Sequence, residues 1–247
     1  MRRAAPQRAV DRLIVALDVT SLATALAMAR KLRGVAKTVK IGSVLFTACG
    51  PSVIRQIRAL GFRVMLDLKF FDIPNTVELS CRAAVRHRVS LLTVHAAGGR
   101  EMLEAAVRGA KAGRFKSKVF AVTRLTSVPH PATIRVGGIR EGGGSQETMN
   151  EVRELAYAAS DSGCDGVVAS AEEAPELRKM FGGRLQLICP GIRPAGTFRD
   201  DQRRVATPAQ ALADGADMLV VGRPITASRD PRAAAQHILS EMEEHGC

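Results

Sequence analysis

The stretch Arg63-Val-Met-Leu-Asp-Leu-Lys69, followed at once by Phe70-Phe-Asp-Ile-Pro-Asn-Thr76, is an apolar run that ends in charge and gives way to helix-like sequence. Side chains two apart on a strand share a face, so Asp67 and Lys69 point the same way. The same unit recurs on both sides. Short β-branched runs at 13–18, 38–43, 91–96, 118–125, 165–170, 185–191 and 218–223 are each followed by an amphipathic segment rich in Ala, Leu and Arg. With 63–69 they make eight βα units in 247 residues, which predicts an α/β fold, a (β/α)8 TIM barrel.

Residues 1–12 read as an N-terminal tail and 13–247 as a single barrel domain, because no linker or composition shift divides the chain. Thr207-Pro208 and Asp230-Pro231 each place a capping side chain before a first-turn proline. Gly137 to Gly144 forms a glycine-rich connection after the fifth strand, and Gly142-Gly-Gly144 reads as a plain flexible loop. The competing architecture is a doubly wound open sheet. Its usual nucleotide fingerprints are missing: there is no G-x-G-x-x-G after the first strand and no G-x-x-x-x-G-K-[ST] anywhere.

The formal net charge of +12 suits an anionic partner, whether a phosphorylated metabolite, a nucleic acid or an acidic surface. Lys and Arg are scattered and aromatics are 4%, so no nucleic-acid partner is expected, and an Arg-rich solvated surface is the plain reading. The five cysteines lie far apart with no C-x-x-C pair, which suggests neither zinc nor a disulfide framework and fits a cytoplasmic location. The charged N-terminus precedes no apolar h-region, and no stretch reaches the about 18 apolar residues of a membrane span. Neither secretion nor a membrane partner is expected.

A barrel's site forms where strands end, and unusual polar residues collect there: Asp18, Lys40, Asp67, Lys69, His95, Thr126, Ser127, Arg193 and the Gly222-Arg223 pair. Lys40 from the second strand is placed to pair with Asp67, and Asp72 to approach Lys69 from the loop. That alternation of opposite charges keeps every member ionised. His95, a lone histidine near a strand end, reads first as a hydrogen-bonded core residue; it lacks the companions of a metal site.

These residues resemble the orotidine 5'-monophosphate decarboxylase family. Its hallmark D-x-K-x-x-D-I-P-N-T appears as Asp67, Lys69, Asp72, Ile73, Pro74, Asn75 and Thr76. Supporting matches follow in order: Val15-Ala-Leu-Asp18, Val39-Lys-Ile-Gly42, Val94-His-Ala-Ala-Gly-Gly99, Leu125-Thr-Ser127, Pro190-Gly-Ile-Arg-Pro194 and Val221-Gly-Arg-Pro-Ile-Thr226, so the resemblance spans about residues 13 to 235.

The resemblance implies decarboxylation of orotidine 5'-monophosphate to uridine 5'-monophosphate, the last step of UMP biosynthesis, without metal or cofactor. Lys69 would protonate C6 within an array completed by Lys40, Asp67 and Asp72. Asp18 and Lys40 would hold the ribose, and Thr126 and Ser127 the pyrimidine. Pro190 and Arg193 would line the substrate site, with Arg223, the Gly222 backbone and Gln202 on the phosphate. In this family the second Asp of the hallmark enters the neighbouring subunit's site, which implies a homodimer with Asp72, Ile73 and Thr76 acting across the interface.

One departure is Phe71, where the family often has His, and a packing change is expected there. Two rivals remain. A phosphosugar decarboxylase or aldolase with a D-x-K-x-x-D core and magnesium chemistry is disfavoured by the Ile73-Pro-Asn-Thr76 continuation, and a basic nucleic-acid binder would explain the charge but not the strand-end residues.

Overall fold

The structure, a computed structural model, describes residues 8–126, 132–135, 138–141, 145–194 and 206–244. Eight parallel strands close into a barrel in the order β1-β10-β9-β8-β5-β4-β3-β2. They are β1 (Leu13–Ala16), β2 (Thr38–Gly42), β3 (Arg63–Phe70), β4 (Leu91–His95), β5 (Lys118–Val122), β8 (Gly166–Val168), β9 (Gln186–Cys189) and β10 (Met218–Val221). The expected (β/α)8 barrel is therefore the observed fold, and closure excludes the open sheet. Within the glycine-rich connection after β5, β6 (Ala132–Arg135) and β7 (Gly138–Glu141) pair as an antiparallel hairpin, which the glycine count had not suggested.

Helices α1 (Ala9–Arg12), α2 (Leu22–Leu32), α3 (Ser43–Cys49), α4 (Ser52–Ala59), α5 (Pro74–Arg86), α6 (Gly99–Lys111) and α7 (Ser145–Asp161) lie along the first part of the chain. They are followed by α8 (Ala174–Phe181), α9 (Pro208–Ala213), α10 (Arg223–Thr226) and α11 (Pro231–Glu244). Both anticipated caps form. The Thr207 hydroxyl accepts from the Gln210 N–H at 3.2 Å, and Asp230 Oδ1 accepts from the N–H groups of Arg232 and Ala233, each at 3.0 Å. None of these helices is long and apolar enough to cross a membrane.

Alternation along the strands divides the core in two. Leu13, Val15, Val39, Ile41, Val64 and Leu66 point outward beneath the helices, while Ile14, Ala16, Met65, Phe120, Ile188 and Val220 fill the barrel interior. Phe120, with no Trp available, is the largest fully buried interior side chain. Gly166 makes its space: a Cβ there would stand 2.5 Å from Phe120 Cε1 and 2.2 Å from the Gln186 carbonyl. Cys81, Cys164 and Cys189 are free thiols whose burial pushes each up to about 12, so they act as small apolar side chains.

Candidate active site

The interior alternation sets the floor of the site. Met65 faces inward, so Asp67 does too, and opposite it on β2 the same parity selects Lys40 and Gly42, the last in register with Asp67. Lys40 Nζ lies 3.3 Å from Asp67 Oδ2 and 3.1 Å from Asp18 Oδ1, and Lys69 Nζ donates to both Asp67 oxygens at 2.9 and 3.0 Å. Gly42 leaves room for this array, since a Cβ there would sit 3.2 Å from both Asp18 Oδ1 and Lys40 Nζ.

Simple alternation does not account for Lys69. The β3–β4 register shifts between Leu66 and Phe70, and Lys69 has a left-handed backbone at φ 48°. An L-residue pays about 1 kcal/mol for that conformation. Thr93 on β4 holds the irregular turn: its hydroxyl accepts from the Lys69 N–H at 3.0 Å and donates to Asp67 Oδ1 at 2.9 Å. One threonine thus fixes both members of the pair.

The electrostatics follow from burial and pairing. Asp67 and Lys40 side chains are only 11% and 12% exposed. Burial acts to raise the Asp67 carboxyl, but Lys40 and Lys69, with hydrogen bonds from Lys69 and Thr93, outweigh it and hold its pKa below the ordinary value. Burial likewise acts to depress Lys40, and Asp67 and Asp18 overcome it, so its ammonium titrates above the usual range. Both groups are ionised at neutral pH.

Above this floor opens a cavity of about 440 Å³. Asp18, Lys40, Asp67 and Lys69 line one side. Thr126 lines the β5 side, and Pro190, Arg193, Gly222 and Arg223 the rest. Arg193 is nearly buried: its N–H donates to the Ala206 carbonyl at 2.9 Å, and its Nη1 to the Ile192 carbonyl at 3.0 Å. The arrangement offers cations at two separated places, the Lys40/Lys69 floor and the Arg193/Arg223 rim, as an elongated anion with a polar middle requires.

A family model described as the orotidine 5'-phosphate decarboxylase / HUMPS family matches residues 11–238. The chain belongs to that family. It is 47% identical over 235 residues, 95% of this chain and 97% of the relative, to an orotidine 5'-phosphate decarboxylase of Halorhodospira halophila. A Moorella thermoacetica protein of the same name is 46% identical over 240 residues, covering 95% and 93% of the two chains. Among solved structures, orotidine 5'-phosphate decarboxylase from Lactobacillus acidophilus superposes with a TM-score of 0.78 at 33% identity, covering 94% of this chain and 99% of that one.

Within the orotidine 5'-phosphate decarboxylase / HUMPS hallmark, the second half lies apart from the cavity. Asp72, Ile73 and Thr76 are exposed and none lines it. The expectation that Asp72 approaches Lys69 from its own loop does not hold: Asp72 Oδ1 accepts from the Ile73 N–H at 2.7 Å, and among the described residues no ion pair joins it to Lys69. The reason is local, because Pro74 starts α5 immediately after Ile73 and turns the segment outward. Ser127 and Gln202 lie outside the described residues.

His95 also departs from expectation. It is half-buried, its Nδ1 has no hydrogen-bond partner among the described residues, and its ring lies 5.4 Å from that of Phe71 at 41°. Burial and then Lys69 hold its pKa below the ordinary value, which keeps it neutral.

Sequence reasoning overlooked Thr93, Gly42, Thr226 and Arg124. Thr93 and Arg124 were within reach of it: each lies two residues beyond an inward-facing apolar side chain, Leu91 and Val122, the rule that selects Asp67. Arg124 lines the cavity and pairs with Glu151 on α7. Among the described residues no group of three His, Cys, Asp or Glu side chains is placed to hold a metal.

Proposed function

We propose that this chain decarboxylates orotidine 5'-monophosphate to uridine 5'-monophosphate, and that Lys69 delivers the proton to C6. The observation that carries the reading is the Lys40–Asp67–Lys69 array, with Lys40 and Asp67 nearly buried and the half-buried Lys69 paired to Asp67, at the floor of a cavity whose far rim bears Arg193 and Arg223. The C6–carboxylate bond breaks, carbon dioxide leaves, and its bonding electron pair stays on C6. The Lys69 ammonium, fixed beside that carbon before reaction, stabilises the developing charge and then protonates it. Asp67 repels the substrate carboxylate until it departs.

Asp18 and Lys40 hold the ribose, Thr126 and Ser127 the pyrimidine, and Arg223, Arg193, Gln202 and the Gly222 backbone the phosphate, with Pro190 at the wall. Planar guanidinium forks suit phosphate oxygens, and barrels commonly bind phosphate at this rim. Binding energy gathered at the phosphate is expressed in the transition state.

The protein acts as a homodimer in which Asp72, Ile73 and Thr76 complete the partner's site. In support, Phe71, Ile73 and Leu79 are exposed large apolar side chains, at 63%, 66% and 54%, in and just after the hallmark, which a second copy would cover. Mixing Lys69→Ala and Asp72→Ala chains should restore activity that neither has alone, because one hybrid site is intact; no restoration would defeat the shared site.

The deciding experiment follows loss of the orotate chromophore in the native chain and in Lys69→Ala. Equal rates would defeat the role of Lys69. Activity undiminished by a strong chelator is expected, and a strict magnesium requirement would refute the metal-free reaction.

A further inference from the structure

Part of the positive charge that is scattered in the sequence gathers in space. At the end of the barrel where strands begin, the last turn of α5, the residues after it and the loop after α6 enclose a groove of about 330 Å³. Arg82, Arg86, Arg88 and Arg114 line it, with Val85 and Phe115 among the apolar residues of its wall. Arg82 is neutralised by Glu78 at 2.8 Å, which also takes Arg108 at 3.1 Å. The guanidinium groups of Arg86, Arg88 and Arg114 make no ion pair or hydrogen bond among the described residues.

Helix dipoles explain part of this, since cations are favourable at helix C-termini. They explain Arg86. They do not explain Arg114, which lies beyond the end of α6, or Arg88. Arg88 follows the α5 C-cap with φ 56°, a position where glycine or asparagine is the unstrained choice. Among the described residues only two non-glycines adopt such a backbone, Lys69 at the candidate active site and Arg88 in this groove. Strain kept by a side chain marks sites where that side chain has a use.

We infer that this groove is a second anion site, taking a small ligand that carries two linked phosphates, such as inorganic pyrophosphate or a nucleoside diphosphate. Three unpaired guanidinium forks match phosphate oxygens in number and geometry. The volume is at the scale of a small-molecule pocket, about 300 Å³ and upward. Phe115 is the one aromatic ring in the wall, enough to meet a single base and too little for the successive stacking that holds a nucleic-acid strand.

The test is calorimetric titration of the full-length protein with inorganic pyrophosphate and with adenosine 5'-diphosphate at physiological ionic strength. Binding of either should persist in Arg223→Ala, which removes the rim arginine at the opposite end of the barrel. It should weaken about tenfold or more in the Arg86→Ala/Arg114→Ala double variant, which loses two charge-assisted contacts. Arg88→Gly separates ligand binding from structure: it should weaken binding while leaving the melting temperature unchanged or raised, because glycine relieves the left-handed backbone. Orotate turnover should be unaltered in the double variant. No binding of either probe, binding lost in Arg223→Ala but intact in the double variant, or capture of an oligonucleotide alone would each overturn the second site.

Discussion

The two ends of the barrel treat positive charge in opposite ways. At the mouth, Lys40 and Lys69 are set against Asp67 and Asp18, and the most buried of these groups has the most partners. At the other end Arg86, Arg88 and Arg114 stand exposed around a groove, with no carboxylate of the described residues on any of them. Desolvation is the difference: a buried ion must be compensated within the protein, while a surface ion is compensated by water. Charge at the mouth is therefore organised by folding, and charge in this groove is left available.

The comparison is broken most severely at Asp67. Asp67→Ala leaves the nearly buried Lys40 ammonium, with Asp18 as its remaining partner, facing that of the half-buried Lys69, and urea unfolding should report a loss of about 3 kcal/mol. Orotate turnover in the same variant should fall by about a thousandfold or more, as when a fixed electrostatic element is removed. A stable, active Asp67→Ala protein would mean that the array is not one unit.

Thr93→Val probes the same unit through its support. Removing the fully buried hydroxyl leaves the Lys69 N–H without its acceptor and Asp67 without a donor, so a loss of about 1–3 kcal/mol is expected. With the proposed roles, the turnover number should drop more than KM rises, because the variant would displace Lys69 from C6 and leave the proposed phosphate rim untouched.

A smaller effect separates the ends by pH. His95 has a folded pKa below its ordinary value of 6.5, so the unfolded chain takes up a proton first as pH falls. Stability should decline from about pH 6.5 toward the folded pKa and then level, and His95→Gln should flatten that slope in unfolding curves at about pH 7.5 and about pH 5.5. An unchanged slope would mean that other groups carry the acid sensitivity.

The smallest effect belongs to the far end. Arg86→Ala should alter unfolding stability by no more than about 0.5 kcal/mol, since the group is exposed and unpaired. A large loss would show that the groove arginines are structural.

Much of this was legible beforehand. Eight apolar runs with helices between them led to the barrel, and the adjacency of the second and third strands led to Asp67 beside Lys40. The strand limits were less clear: the run expected at 118–125 ends as a strand at Val122, where Arg124 and Thr126 leave the ladder to line the cavity. Asp72 was misjudged because proximity in sequence says nothing about which way a chain turns at a proline. Thr93 was missed because a threonine in a strand is ordinary until its hydroxyl is seen to have two partners.

The amino-acid order alone determined the eight alternating βα units, the caps at Thr207 and Asp230, and the family hallmark, because alternation, capping and spacing are local properties carried by neighbouring residues. Only the tertiary structure decided that Lys69 leaves the strand pattern at φ 48° to reach both oxygens of Asp67, and that arginines from 82 to 114 converge on one groove. Both depend on contacts between segments that folding brings together, and neither a bulge in register nor the convergence of two loops is written in any single run of sequence.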